Sequence, residues 1–232
     1  MTKAQPGGGR ALCAYGLPAA EIMALSLQRL RERSAVELPP EPAATVALRM
    51  AYAAGDPDLL RDIVVQPEAV HAITAAVERG APVVCDVAMV AAGIRSVVGG
   101  RGAHVLCAQD VADAPLSVDL ATPDTRNAAK ESTRTARGLL NLATHWDGAV
   151  IVIGNAPTAL LALLDALADG APRPAALIAT PCGLVSAEEA KTLLIDTAPL
   201  PYITVRGARG GSAVAAAALN ACAVLATAES TP

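Results

Sequence analysis

The chain alternates between short runs of β-branched residues and longer segments with helical spacing of apolar positions, separated by Gly, Pro, Asn or Asp. In GAVIVIGNAPTALLALLDALADGAP, residues 150–153 are apolar without interruption, which is typical of a strand buried on both faces of a parallel sheet. Asn155 is a good N-cap, Pro157 suits a first helical turn, and Gly170 is a typical helix terminator. The stretch therefore predicts a strand, a tight turn and a helix.

The same alternation predicts most of the remaining elements. Helices are predicted over 18–33, 41–54, 57–65, 67–79, the stretch VAMVAAGI, 126–143 and a small-residue segment that begins near Ser212. Strands are predicted in PVVCDV, AHVLCA, PAALIAT and PYITVRG. Strands that alternate with helices indicate an α/β fold. We expect a mostly parallel sheet of about five strands with helices on both faces, in a single domain over 11–227 between tails at 1–10 and 228–232.

Composition narrows the classes of partner. The chain has 232 residues, of which 53% are apolar, so it can bury a substantial core. One Trp, three Tyr and no Phe offer no surface on which several bases could stack, and the net charge of −4 comes without a Lys/Arg-rich run. These features argue against nucleic acid as a binding partner. No apolar stretch reaches the roughly eighteen residues of a membrane helix, and no secretory signal is evident. We therefore expect no membrane association.

Cysteine and histidine spacing bears on compartment and metal binding. The five cysteines lack C-x-x-C spacing, and an odd number suits reduced thiols in a cytoplasm, where we expect the protein to be located. None of the three histidines has another His or a Cys nearby at metal-ligand spacing. We therefore predict no metal site.

Two glycine-containing turns are candidate anion sites, because each precedes a predicted helix whose first N–H groups have no partner within the helix. At Gly154 and Asn155 the alternative is a tight connection only. At Arg206 and Arg209, ahead of Ser212 as a predicted N-cap, the alternative is a solvated basic turn. Neither turn has the G-x-G-x-x-G pattern, and no P-loop Lys-Ser/Thr pair follows a glycine loop, which disfavours a nucleotide-binding protein.

Seven stretches, in order from near residue 10 to near residue 222, resemble the precorrin-8X methylmutase family of vitamin B12 synthesis. They are RALCAYGLPAAEIMALSLQRLR, ALRMAYAAGDPD, GAPVVCDVAMVAAGI, STRTARGL, VIGNAPTALLALL, GAPRPAALIATPCGLVSAEEAK and VRGARGGSAVAAAALNA. Each fragment alone is a weak signal, but their common order and similar intervals make a specific one. The resemblance covers almost the whole chain.

The resemblance implies an isomerase that moves a methyl group between neighbouring carbons of a contracted tetrapyrrole. Its substrate would be precorrin-8X or cobalt-precorrin-8, its product hydrogenobyrinic acid or the cobalt counterpart, cobyrinic acid, and it would need no cofactor. The family also implies a homodimer with the active site near the subunit interface. Such a substrate carries many carboxylates around an apolar macrocycle, so we expect helix N-termini and arginines at its rim and aliphatic side chains along its flat faces.

The resemblance also implies the site residues. Ser26 matches the family's substrate-contacting serine, and further motif positions are expected to border the pocket: Asp86, Thr133, Arg134, Asn155 and Arg209. From the residues alone, Ser26 would be a solvated or back-bonded serine, and Asp86 could equally cap the helix VAMVAAGI. Met50 and Met89 are interpreted as core residues.

One position departs from the family pattern in a way that bears on mechanism. The family motif R-M-x-H-x-x-G carries a histidine that protonates a ring nitrogen, whereas this chain reads RMAYAAG and places Tyr52 there. An imidazole, with an ordinary pKa near 6.5, holds and returns a proton at neutral pH, whereas a phenol, with an ordinary pKa of about 10, only donates a hydrogen bond. Two hypotheses follow: an isomerase with Tyr52 at the catalytic position, or an impaired member that binds corrinoids.

Overall fold

A six-stranded sheet forms the middle layer of the computed structural model, which describes residues 16–34, 36–115 and 133–229. Its strands are β1 (Ile63–Val65), β2 (Val83–Cys85), β3 (Val105–Cys107), β4 (Val150–Ile153), β5 (Ala176–Ala179) and β6 (Tyr202–Val205). The strand order is β1-β6-β5-β4-β2-β3. Strands β2 to β6 are parallel, and β1 pairs antiparallel with β6 at one edge. The predicted α/β fold with a mostly parallel sheet is confirmed.

Helices cover both faces of the sheet. They are α1 (Ala19–Arg33), α2 (Ala43–Ala54), α3 (Pro67–Glu78), α4 (Ala88–Gly99), α5 (Arg134–Asn141), α6 (Pro157–Ala168), α7 (Ala187–Thr197) and α8 (Ser212–Glu229). Helix α8 packs against α2, α3 and α4 on one face, while α6 packs against α5 and α7 on the other. Helix α1 packs on α2. Short 3₁₀ helices occupy Pro57–Arg61, Ala108–Val111 and Ala143–His145.

The inner strands β2, β4, β5 and β6 are buried on both faces, as their apolar composition predicts, whereas the edge strands β1 and β3 are partly exposed. In β2, Val83 and Cys85 face the α2–α4 and α8 layer, whereas Val84 faces the α5–α7 layer. All residues of β4, β5 and β6 are buried, and Trp146 is fully buried in the α5–α7 layer. Within the described residues, no helix is both long enough and apolar enough to cross a membrane.

Small residues let α8 lie close to the end of β4. A Cβ added at Gly154 would lie 2.7 Å from Ser212 Cα and 2.7 Å from a methyl carbon of Val90. Any larger residue at Gly154 would therefore push α8 and α4 away from the sheet. This contact explains the glycine at the turn without any ligand.

The helix predicted over 57–65 is wrong. Asp56 accepts a hydrogen bond from Asp58 N and starts the short 3₁₀ helix, which ends before Asp62. Residues 63–65 then pair with β6 and add the sixth strand. A three-residue strand is too short for a periodic pattern, so only its pairing with β6 defines it.

Other boundaries shift less. Helix α5 begins at Arg134, while residues 126–132 of the predicted long helix lie outside the described residues. The predicted N-terminal tail also lies outside them, and of the C-terminal tail only residues 228–229 are described, as the end of α8. Met50 is fully buried, as predicted, but Met89 is 70% exposed and is not a core residue.

Candidate active site

The carboxyl ends of the parallel strands meet at one edge of the sheet, where open α/β sheets bind their ligands. Because β1 is antiparallel, its amino end lies at this same edge, and Arg206 N donates to Asp62 O at 2.8 Å. Beside them, Thr180 N donates to Ile153 O at 2.8 Å after β5. The edge therefore gathers the segments that follow β2, β4, β5 and β6.

Asp86, directly after β2, fills the predicted anion site at the start of α6. Its carboxylate is fully buried, and it accepts hydrogen bonds from Gly154 N at 3.1 Å, Asn155 N at 2.7 Å and Ala156 N at 2.9 Å. Burial raises the pKa of Asp86 above its ordinary value, against the backbone hydrogen bonds, which lower it. The turn does bind an anion, but the anion is the chain's own.

Asp86 thus does not cap the helix in VAMVAAGI, one of its two predicted roles. That helix, α4, begins after Val87, and its Ala88 N donates to Gln109 Oε1 at 2.9 Å. Asp86 instead holds the start of α6, some seventy residues later in the chain, which no local sequence pattern can reveal.

Asn155 and Ser212 are not the N-caps that the sequence predicts. Ala156, and not Asn155, is the residue before α6, and the Asn155 N–H donates to Asp86. The side chain of Asn155 is exposed at the edge. Ser212 is itself the first residue of α8. Pro157 at the first position of α6 is confirmed.

Thr133 and Arg134 stand at the start of α5, next to the start of α6. Thr133 caps α5 by accepting from Ala136 N at 3.3 Å, and its Oγ1 lies 2.7 Å from Thr158 Oγ1 of α6. Arg134 donates to Asp113 Oδ2 at 2.6 Å, and this hydrogen bond lowers the pKa of Asp113. Both charged side chains of this ion pair are exposed.

Arg209, after β6, is ion-paired rather than solvated. Its guanidinium pairs with Asp56 and with Asp62 and donates to Asp58 O at 3.2 Å. The hydrogen bond that Arg209 donates to Asp62, followed by the charges of both aspartates, raises the pKa of Arg209. The side chain is 43% exposed, so it stays within reach of a ligand.

Tyr52 lies in the last turn of α2, close to the Arg209 pairs. Its carbonyl oxygen accepts from Gly55 N at 3.0 Å, where the left-handed Gly55 (φ 64°) ends the helix. Asp56, the first partner of Arg209, follows directly. Tyr52 is 37% exposed, whereas Met50 is fully buried, so this helix end presents the phenol at the surface.

Ser26 lies on α1, which packs on α2 and contacts the 3₁₀ helix Pro57–Arg61. Its hydroxyl donates to Ile22 O at 2.7 Å, which is the back-bonded arrangement. On the same helix Met23 accepts a hydrogen bond from Arg49 of α2. Ser26 and Tyr52 thus stand on neighbouring helices, while Asp86, Asn155 and Arg209 share the sheet edge.

Sequence reasoning missed Lys191, on α7. Its side chain is fully buried and its Nζ donates to Arg209 O at 2.7 Å. Burial lowers the pKa of Lys191 to about 8. A signal was present: Ala187, Lys191 and Leu194 follow helical spacing, and the two apolar members mark a buried stripe that includes the lysine.

Exposed apolar side chains surround the same edge. Met89 follows β2 and is 70% exposed, while Leu184 and Val185 follow β5 and are 95% and 80% exposed. Within the described part of the chain, no group of three or more His, Cys, Asp or Glu is placed to hold a metal ion. The edge therefore combines charged and apolar groups, which suits an apolar ligand with a charged rim.

Comparison with known proteins identifies similar sequences. The precorrin-8X methylmutase family model matches residues 21–225. A precorrin-8X methylmutase of Pseudomonas aeruginosa is 42% identical over 180 residues, which cover 77% of this chain and 82% of that protein. One of a Sinorhizobium species is 40% identical over 186 residues, covering 79% and 83%.

Among solved structures, the fold is similar to that of a precorrin-8X methylmutase from Thermus thermophilus. The TM-score is 0.76 at 28% identity, over 92% of this chain and 99% of that one.

Proposed function

Because the chain belongs to the precorrin-8X methylmutase family, we propose that a contracted tetrapyrrole binds at the carboxyl edge of its sheet. The chain is an isomerase of cobalamin biosynthesis that catalyses a methyl migration. The observation that carries this conclusion is the family match over residues 21–225, which includes every strand of the sheet. The alternative of a corrinoid-binding protein without turnover is not favoured.

We assign the charged side chains to the carboxylate rim of the substrate. Arg209 is partly exposed and its partners are carboxylates, so a substrate carboxylate can take the place of one of them. Arg134 has a similar exposed partner in Asp113. Asn155 offers an exposed amide, and Thr133 a hydroxyl at the start of a helix. Rim recognition would thus come from side chains rather than from the α6 N-terminus.

Asp86 serves the site as a positioning residue, because its carboxylate is fully buried and bonded to three backbone N–H groups. We assign the flat face of the macrocycle to the exposed Met89, Leu184 and Val185, which would lose solvent contact on binding. We also assign Ser26, on α1, to a contact with the substrate.

Tyr52 is the proposed catalytic residue. In the reaction one C–CH₃ bond breaks and another forms at a neighbouring ring carbon, so no electrons enter or leave the substrate and no cofactor is required. A hydrogen bond from the phenol to a ring nitrogen would draw electron density from the migrating centre. A phenol that only donates a hydrogen bond draws electron density less effectively than a group that transfers its proton. Such a proton transfer contributes a factor of about 10² to 10⁴ to the rate.

The test is to incubate the purified protein with precorrin-8X, and in parallel with cobalt-precorrin-8, and to follow the visible spectrum of the product. Conversion of either substrate supports the proposal and identifies the metal state that the protein prefers. Binding of the product without any conversion would establish the corrinoid-binding alternative instead.

Two variants test the role of Tyr52. Tyr52→His should raise turnover tenfold or more with little change in product affinity, because it restores a proton donor of suitable pKa. Tyr52→Phe, the matched control, should lower turnover because it removes the hydroxyl alone. Equal and fast turnover of the parent and Tyr52→Phe would exclude Tyr52 as the acid. Loss of product binding in Tyr52→His would make Tyr52 a packing residue.

We further propose a homodimer in the cytoplasm. The exposed apolar Ile22 on α1 and Val224 on α8 support a covered surface, and free thiols at Cys85, Cys107, Cys182 and Cys222 support a reducing compartment. Light scattering at micromolar concentration should give the mass of two chains. A monomer mass alone would contradict the dimer.

A further inference from the structure

Lys191 is a fully buried cation that the proposed reaction does not use. It stands on α7 between Ala187 and Leu194, which are both fully buried. An ammonium group in such a position is costly unless a hydrogen bond or a charge compensates it. Its Nζ donates to Arg209 O at 2.7 Å. The compensation thus comes from the backbone of the very residue that we assign to the substrate rim.

The polar and titratable groups around Lys191 come from four segments. Glu188 lies on its own helix, Cys182 in the segment after β5, Asp62 before β1, and Arg209 after β6. Asp62 also pairs with the Arg209 guanidinium. Arg209 is therefore held at two points, by Lys191 at its carbonyl oxygen and by aspartates at its side chain.

The backbone around Arg209 is held by hydrogen bonds from outside the loop: Lys191 supplies one at Arg209, and Gly183 N supplies another by donating to Ala208 O at 3.0 Å. Gly207, Gly210 and Gly211 have φ angles of 69°, 145° and 116°, so the loop lacks the restriction that side chains impose. Gly211 N donates to Thr180 O at 2.7 Å, and this contact fixes the end of the loop. Lys191 fixes the residue that carries the guanidinium.

We propose that Lys191 is a positioning residue for the methylmutase site: by holding the Arg209 carbonyl oxygen, it directs the Arg209 side chain towards Asp56 and Asp62. Asp56 follows the end of α2, so the same link holds the helix end that carries Tyr52. The relevance of this link to catalysis rests on the proposed function, whereas its effect on the loop does not.

The desolvation of the Lys191 ammonium is consistent with this role. Burial lowers the pKa of Lys191 to about 8, against the nearby Cys182, Glu188 and Asp62, which raise it. A methionine of similar length would fill the same space without this cost. The hydrogen bond to Arg209 O is the feature that only a donor at this position supplies.

The first experiment compares Lys191→Met with Thr192→Met, an exposed position on the same helix. Hydrogen exchange followed by mass spectrometry should be at least tenfold faster over residues 206–211 in Lys191→Met, and faster also over 52–56. Thr192→Met should exchange like the parent. A well-folded Lys191→Met with parent-like exchange over 206–211 would overturn the proposal.

Lys191→Arg retains a cationic donor and guards against a failure of the methionine variant to fold. It should restore slow exchange over 206–211 at least in part. If Lys191→Arg folds but residues 206–211 exchange as fast as in Lys191→Met, the hydrogen bond is not what holds the loop. Where Lys191→Met does not fold, the unfolded chain takes its place in this comparison.

The second experiment links the loop to the site through a double-mutant cycle. Lys191→Met should weaken binding of hydrogenobyrinic acid about tenfold in the parent, but less than twofold in an Arg209→Ala background, because both act on one guanidinium. Full additivity would overturn the proposal. If the parent does not bind or convert the corrinoid, the proposed function fails, while the exchange result still decides the role of Lys191.

Discussion

Two turns at one edge of the sheet have similar sequences and opposite uses. The turn at Gly154 and Asn155 encloses a fully buried carboxylate, that of Asp86. The turn at Arg209 carries a guanidinium that is 43% exposed and pairs with two surface aspartates. Both turns contain glycine and precede a helix, so the sequence alone predicts an anion site at each.

The two turns differ in how deeply their charged side chains are buried. A buried carboxylate with three N–H partners cannot be exchanged without leaving charges unpaired, whereas an exposed ion pair contributes only about 0–1 kcal/mol and exchanges readily. The Asp86 turn is therefore fixed architecture, and the Arg209 turn is where a substrate carboxylate can compete. A helix start beside a glycine turn thus indicates ligand binding only when no internal acid already fills it.

The largest expected effect comes from removing the buried carboxylate of the Asp86 turn. Asp86→Asn replaces one acceptor oxygen with an NH₂ group that faces backbone N–H groups, and should lower the free energy of unfolding by about 3 kcal/mol. Urea unfolding measures it. Asp113→Asn, which alters an exposed aspartate, serves as the control and should unfold at the same urea concentration as the parent. Similar midpoints for both variants would contradict the distinction between the two turns.

A second effect concerns the buried charge beneath the Arg209 turn. Burial lowers the pKa of Lys191 to about 8 in the folded protein, below its ordinary value of 10.5, so the unfolded chain binds more protons between these pH values. The penalty for burying Lys191 is therefore complete below pH 8 and is relieved as pH rises. Relative to Lys191→Met, the parent should gain on the order of 2 kcal/mol between pH 7 and pH 10.

Urea unfolding of both proteins across this pH range checks the prediction. Both proteins carry Cys182→Ser, because Cys182 lies near Lys191; the remaining cysteines contribute equally to both and cancel in the difference. A difference that stays constant with pH would mean that the Lys191 ammonium is not desolvated in the folded protein.

The third effect concerns the Arg209 turn, where a substrate carboxylate can replace an aspartate. Arg209→Ala should lower the free energy of unfolding by at most about 1 kcal/mol, because its ion pairs are partly exposed. It should nevertheless weaken corrinoid product binding about tenfold or more, by the loss of a charge-assisted hydrogen bond of ~1.5 to 3 kcal/mol. Titration calorimetry at two salt concentrations measures this. Unchanged affinity would place Arg209 outside the pocket.

The smallest effect on stability is expected at Arg134. Its pair with Asp113 is exposed on both sides, so Arg134→Ala should leave the unfolding midpoint unchanged. A clear drop in the midpoint would show that surface pairs at this edge contribute to the fold, which would weaken the comparison of the two turns.

The sequence predicts most of this fold because its signals are local. The β-branched residues 150–153 and Pro157 define β4 and the start of α6 without any knowledge of their neighbours. Strand β1 is also β-branched, but its three residues are too few to rule out a helix, and only their pairing with β6 defines them as a strand. The apolar start of α4 predicts a core Met89, but Met89 is exposed, because the pattern does not reveal which side of the sheet edge this residue faces.

The site is less predictable, for a physical reason. Asp86 and the N–H groups that it binds are some seventy residues apart, and Lys191 reaches Arg209 from another helix. Such contacts depend on how helices and strands pack against one another, and local sequence patterns do not encode this packing. The family motifs locate Tyr52 and Arg209 in the sequence, but their shared link through Asp56 is visible only in the structure.

Helix α8 also has a consequence for biosynthesis on the ribosome. It packs against α2, α3 and α4, which are all translated well before it. While the chain grows, these helices have an apolar face without its cover, and the central strand β4 lacks one of its neighbours. The layer closes only when residues 212–229 have left the exit tunnel, so this half of the core is expected to fold after the helices that α8 covers have been made.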